Sequence, residues 1–129
     1  MIVLDASVIV DVLIRAPGAE AIERRLARDR SLHAPALLDL EVAHVIRRYC
    51  AERQLPVRRA HEAVAGLLNL PARRYPHTPL LERVWELRTN LTAYDAAYVA
   101  LAEVLDAPLL TRDRRLAATR GHRARIDLV

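Results

Sequence analysis

Met1-Ile-Val-Leu-Asp-Ala-Ser7, the first seven residues, decides how the rest of the chain is read. Ile2, Val3 and Leu4 form a short apolar run, the pattern of a strand buried on both faces in a parallel sheet. Asp5 ends the run, and Ser7 follows. Val8, Ile9, Val12 and Leu13 then recur with helical spacing. A strand that passes straight into a helix starts an α/β fold. An acid at the carboxyl end of its first parallel strand stands where open α/β sheets hold their ligands.

The alternation continues to the end of the chain. A helix is predicted over about Ser7–Ile14, broken by Pro17-Gly18, and a second over about Ala19–Asp29. Leu32–Ala34 reads as a strand ending at Pro35. A long helix over Leu37–Arg53 follows, with its stripe at Leu38, Val42, Val45 and Tyr49. Pro56 opens a helix to about Leu70, since proline is tolerated in a first turn. Arg73–Tyr75 is a candidate strand, and Pro79 opens a helix to about Arg88. Thr92 or Ala93 opens an apolar helix to about Leu105. Ala107–Leu110 is a strand, Asp113–Thr119 a short helix and Ala124–Leu128 a last strand. Strands alternating with helices predict an α/β fold with a mostly parallel sheet. No linker divides residues 1–129, so one domain is expected.

Composition narrows the chemistry. All 20 cations are arginine, and lysine is absent. Codon bias in a GC-rich genome accounts for such a replacement, but the chemical consequence holds either way. P-loop NTPases need a lysine on the phosphates, and phosphotransfer sites that also begin with a strand-end Asp use one, so those classes fall. A net charge of +4 and a pI near 10.0 suit a polyanionic partner or simply a soluble surface, and charge alone does not choose. Cys50 is the single cysteine, which leaves no internal disulfide and fits a reducing, cytoplasmic setting. The N-terminal stretch lacks the basic start of a signal peptide. No apolar run reaches the ~18 residues that span a bilayer.

Four acids occupy comparable settings. Asp5 follows the first strand, and Asp113 repeats that placement after Ala107–Leu110. Glu41 falls beside Leu38 and Val45, on the edge of its helix's apolar stripe. Asp95 lies in the first turn of a helix that is apolar nearly all round, and so is buried or lines a cavity. Helix capping is the competing reading for Asp95, through Thr92-x-x-Asp95, and for Asp113. A surface glutamate is the competing reading for Glu41. Asp11 and Asp39 are expected to face away from the set, and the five histidines show no ligand spacing. Carboxylates converging on one pocket repel unless a cation joins them. Oxygen donors suit Mg²⁺ or Mn²⁺, with a substrate phosphate completing the shell, and phosphodiester hydrolysis follows.

Asp5-Ala-Ser7, Glu41 early in a long helix, Asn90-Leu-Thr92-Ala-Tyr-Asp95-Ala and Leu109-Leu-Thr111-Arg-Asp113-Arg-Arg-Leu116 together resemble the PIN-domain ribonucleases, of the VapC toxin type. The resemblance covers almost the whole chain. It implies a three-layer fold whose five-stranded sheet has the order 3-2-1-4-5. It also implies catalytic, metal-holding roles for Asp5, Glu41, Asp95 and Asp113, and water-orienting hydroxyls at Ser7 and Thr111. A homodimer and a cognate antitoxin that blocks the groove are implied as well.

Beside the resemblance, Arg112, Arg114 and Arg115 flank Asp113 and read equally as contacts to RNA phosphates or as a solvated helix start. Tyr94 and Tyr98 are candidates for base stacking, with core packing favoured for Tyr98. The leading reading is a metal-dependent endoribonuclease acting as a growth-inhibiting toxin. A DNA-directed flap-type nuclease and a non-catalytic nucleic-acid- or partner-binding module are the alternatives. The short chain offers no arch for DNA, and four intact acids argue against a vestigial site.

Overall fold

A computed structural model describes all 129 residues. Five strands form one sheet: β1 (Ile2–Leu4), β2 (Leu32–Pro35), β3 (Ala72–Tyr75), β4 (Leu109–Thr111) and β5 (Ile126–Leu128). Their order is β3-β2-β1-β4-β5, as expected, and every pairing is parallel. From β1 the chain builds outward through β2 and β3, then returns to the other side of β1 to lay down β4 and β5. The order therefore reverses between β1 and β4, and the crevice of such a sheet opens there, at the carboxyl ends of the strands.

Seven helices connect the strands: α1 (Ala6–Leu13), α2 (Ala19–Leu26), α3 (Leu37–Ala51), α4 (Val57–Leu68), α5 (Leu81–Glu86), α6 (Ala93–Leu105) and α7 (Arg114–Ala118). Helices α1 to α4 pack on one another and α5 packs on α6, giving the sheet a helical layer on each side. Gly66 marks how closely α4 approaches α1, because a Cβ there would come within 2.8 Å of Leu13 Cδ2.

The core follows the sequence pattern. Ile2, Val3 and Leu4 are fully buried, as are Leu109 and Leu110 beside them. Truncating Leu110 to alanine here is expected to cost about 2–5 kcal/mol. Helix α6 is buried continuously from Ala96 to Ala102, as its all-round apolar character requires. Cys50 is half-buried against this core.

Boundaries moved where proline or a left-handed residue intervened. The helix expected over Pro79–Arg88 is a 3-10 turn, Thr78–Leu80, followed by α5. Pro79 brings no N–H to the ladder. Helix α3 stops at Ala51 because Arg53 turns into the left-handed region at φ 58°. Strand β4 begins at Leu109, beyond Ala107-Pro108, and Pro108 contributes only its carbonyl, which accepts from Val3 N–H. No helix is long and apolar enough to cross a membrane.

Candidate active site

All strands point the same way, so the segments that leave them meet at one edge. Asp5 leaves β1, and Arg112-Asp113 leave neighbouring β4. Glu41 lies just over one turn into α3, which follows β2. Helix α6 runs back toward the start of β4, so its first turn, with Asp95, lies at this same carboxyl edge. Topology thus gathers all four acids from separate parts of the chain.

Asp5 occupies the N-cap position of α1 but its side chain caps nothing. Instead its Oδ2 accepts from Thr111 Oγ1 at 2.7 Å and from Ser7 Oγ at 2.5 Å. The hydroxyls expected to orient water have given their protons to this carboxylate. Each also accepts a backbone bond, Ser7 from Arg112 N–H at 3.0 Å and Thr111 from Asp113 N–H at 3.0 Å. Fully buried Thr111 therefore fixes the Asp5 carboxylate and the backbone of Asp113 with one hydroxyl.

Asp113 both caps and faces the site. Its Oδ1 accepts from Arg115 N–H at 2.8 Å and Leu116 N–H at 3.3 Å, which makes Asp113 the cap of α7. Burial alone would raise its carboxyl, but these bonds and the Arg115 charge hold it below the ordinary range. At α6, Thr92 Oγ1 accepts from Asp95 N–H at 3.2 Å. The return bond of a capping box, from Thr92 N–H to the Asp95 carboxylate, is not made; the Thr92 side chain lowers that carboxyl by less than burial and the neighbouring acids raise it.

The acids feel one another's charge. Burial raises the Asp95 carboxyl, and the neighbouring charges of Asp5 and Asp113 raise it further. Glu41 is raised by burial and by Asp5 and Asp95, against a lowering hydrogen bond from Tyr98. Of the four acids only Asp113 has a cation within 4 Å, the exposed Arg115 at 3.5 Å. A cavity of about 210 Å³ opens between Asp95, Asp113, Asn90 and Thr119. A larger, more apolar one of about 550 Å³ lies beside Glu41, against Leu40, His44 and Tyr94.

One sequence expectation is corrected. Asp11 does not stand apart from this region, because its Oδ2 lies 2.9 Å from Arg112 Nε. The expected phosphate contact Arg112 is thereby engaged, binding the β4–α7 turn to α1. Arg114 and Arg115 remain exposed. Tyr98, for which core packing was favoured, is wholly buried, and its hydroxyl donates to Glu41 Oε2 at 2.5 Å. Sequence spacing gave no signal for either pair, since Asp11 and Arg112 lie 101 residues apart and Glu41 and Tyr98 lie 57 apart.

No three His, Cys, Asp or Glu side chains make a ready cage for a metal ion. A structural Zn²⁺ or a Ca²⁺ site would need such a cage. Mg²⁺-type ions keep several waters and take one or two carboxylates together with substrate phosphates. The spread of hard oxygen donors here fits that second kind.

Comparison with known proteins agrees with the geometry. A family model described as PIN domain matches residues 2–121. Ribonuclease VapC12 of Mycobacterium tuberculosis is 44% identical over 129 residues, covering 100% of this chain and 99% of its own. Among solved structures, Mycobacterium tuberculosis VapC20, described as a Sarcin-Ricin loop cleaving toxin, superposes with a TM-score of 0.70 at 18% identity, covering 92% of this chain and 94% of its own. VapBC2 from Rickettsia felis, bound to a DNA fragment from its promoter, gives 0.71 at 13% identity over 100% and 99% of the two chains. At these identities the two structures speak to the fold.

Proposed function

The chain belongs to the PIN-domain family, and from that premise we propose that it is a divalent-metal-dependent endoribonuclease, the toxin of a toxin–antitoxin pair. One observation carries this reading. Four acids from separate segments converge at the β1–β4 crevice, and three of them have no cation within 4 Å. The family membership and the ribonuclease names of its relatives point to RNA as the substrate.

Asp5, Asp95, Asp113 and Glu41 are the residues that would hold Mg²⁺ or Mn²⁺, some of them through water. Such an ion supplies a lowered pKa for bound water and a counter-charge for the leaving oxygen. The protein's own contribution is orientation. Both hydroxyl bonds to Asp5 fall on Oδ2, which leaves Oδ1 without a protein donor. Both capping bonds to Asp113 fall on Oδ1. Arg114 and Arg115, which are exposed, would meet RNA phosphates and bring the backbone to the acids.

No histidine lines the Asp95–Asp113 cavity. That favours water, and not the RNA 2′-hydroxyl, as nucleophile. Cleavage should therefore leave 5′-phosphate and 3′-hydroxyl ends, and EDTA should stop it until Mg²⁺ or Mn²⁺ is restored. Ligation and phosphatase treatment of cut, labelled RNA test this, and 2′,3′-cyclic phosphate ends would refute it.

A homodimer and a protein antitoxin are the partners proposed. Uncompensated carboxylates attract a guanidinium, which pairs with them bidentately. An antitoxin that inserts an arginine into the crevice would silence the site in this way. Expression alone should arrest growth, and co-expression with an adjacent small gene should relieve it. A harmless protein that purifies as a monomer without a partner would count against this.

A further inference from the structure

Helix α6 brings more than Asp95 to the crevice. Tyr98 follows Asp95 by three residues, so the two stand one above the other on the same helical face. Tyr98 is the largest fully buried side chain of the molecule. A buried phenol must find an acceptor or lose the free energy of an unmade hydrogen bond. Its acceptor is Glu41 Oε2, at 2.5 Å. Glu41 belongs to α3, which packs with α1 and α4, whereas α6 packs with α5 on the other side of the sheet. The bond therefore ties an acid from one helical layer to a core residue of the other, over the carboxyl edge of the sheet.

Glu41 has no other protein donor: no cation lies within 4 Å of it, and Oε1 accepts nothing. We infer that Tyr98 is a positioning residue of the acid site, its hydroxyl holding Glu41 Oε2 so that Oε1 is presented to the divalent cation. This rests on the metal-dependent reading given above. Thr111 and Ser7 do the same for Asp5, so each side of the crevice has its acid oriented by uncharged donors. A hydroxyl suits the task because it fixes one oxygen without neutralising the carboxylate, as an arginine would. Partners that orient metal-holding groups are typically worth about 10–100-fold in metal affinity.

The test is Tyr98→Phe in the full-length protein, with Mn²⁺ binding followed by calorimetry and RNA cleavage in parallel. The variant should bind Mn²⁺ about tenfold more weakly and lose kcat with KM unchanged, while its melting temperature in EDTA stays within a few degrees of wild type. In a Glu41→Ala background the same substitution should cost no further Mn²⁺ affinity. Wild-type affinity in Tyr98→Phe, or an equal loss with and without Glu41, overturns the inference. Should Tyr98→Phe fail to fold, Mg²⁺ titrated into wild-type protein labelled with ¹³C at the tyrosine ζ carbon decides. The Tyr98 resonance should move on binding, and an immobile one overturns the proposal. If wild type itself neither binds Mn²⁺ nor cuts RNA, the failure belongs to the proposed function. If wild type does both and Tyr98→Phe matches it, only the role of Tyr98 falls.

Discussion

Helix α6 carries Asp95 in its first turn and Glu103 in its last, and the protein treats the two acids in opposite ways. Glu103 is surrounded by cations. Arg83 grips it with both faces of its fork, Nε to Oε2 at 2.7 Å and Nη2 to Oε1 at 3.0 Å. Arg123 adds its backbone N–H to Oε1 at 2.8 Å and its guanidinium at 3.9 Å. The side chain is 3% exposed, and the Arg83 bonds hold its carboxyl below the ordinary range. Asp95 is also half-buried, yet no cation stands within 4 Å, and burial with two neighbouring acids drives its carboxyl upward. The acid at one end of α6 is neutralised by cations, and the acid at the other end has none within 4 Å.

The largest effect expected from this contrast is on activity. Asp95→Asn should lower RNA cleavage at least about a hundredfold, while the melting temperature in EDTA holds or rises, since a repulsive charge has gone. A clear loss of stability would mean that Asp95 is a structural acid after all. Glu103→Ala should invert the pattern. It removes the two charged hydrogen bonds from Arg83 to Glu103 and leaves that guanidinium with Glu86 alone, a loss of about 2–3 kcal/mol. That is roughly 10 °C for a domain of this size. Cleavage at low temperature should stay within about twofold of wild type.

pH separates the two ends further, in metal-free protein. Glu103 is lowered in the fold, so it contributes stability that is present above its unfolded pKa, near 4.5, and lost as pH falls through the folded value. Asp95 and Glu41 are raised, so the folded state holds their protons longer, and stability declines as pH climbs from about 4 through their folded values. Melting curves between about pH 3 and 7 should lose the acid-side decline in Glu103→Ala and flatten on the alkaline side in Asp95→Asn. Identical profiles for the two variants would erase the distinction drawn here.

How much of this was legible beforehand depends on the kind of interaction. The alternation of strands and helices and the settings of the four acids could be read because each is local: an apolar run, a periodic stripe, an acid at a strand end; the strand order is not local and came only from the family resemblance. Glu103 gave no signal, because its partners Arg83 and Arg123 lie 20 residues away on either side. Asp11 was placed away from the crevice on correct helical geometry; what the sequence could not reveal was that the β4–α7 turn folds Arg112 down to it. Tyr98 looked like core and is core, and its hydroxyl found a use only once α3 was packed beside it. Proline positions shifted β4 and shortened α5, since a missing N–H outweighs a favourable apolar pattern.

Two smaller effects sharpen the comparison. Thr111→Val keeps shape and removes the hydroxyl that joins Asp5 to Asp113, so cleavage should drop about tenfold, with roughly 1 kcal/mol of stability. A larger stability loss without a change in cleavage would make Thr111 a packing residue. Arg115→Ala removes a rim charge whose side chain is 93% exposed. RNA binding should weaken only a few-fold, and its salt dependence should shallow by about one unit of slope.

The basic side of this molecule is made of guanidinium groups alone, 20 arginines and no lysine. Guanidinium does not lose its proton in proteins, so the arginine share of the positive field that meets a polyanion holds from mild acid into alkali. An enzyme with lysines at its rim mixes their titration into every alkaline rate profile. In this one no lysine contributes to an alkaline limb in the cleavage rate.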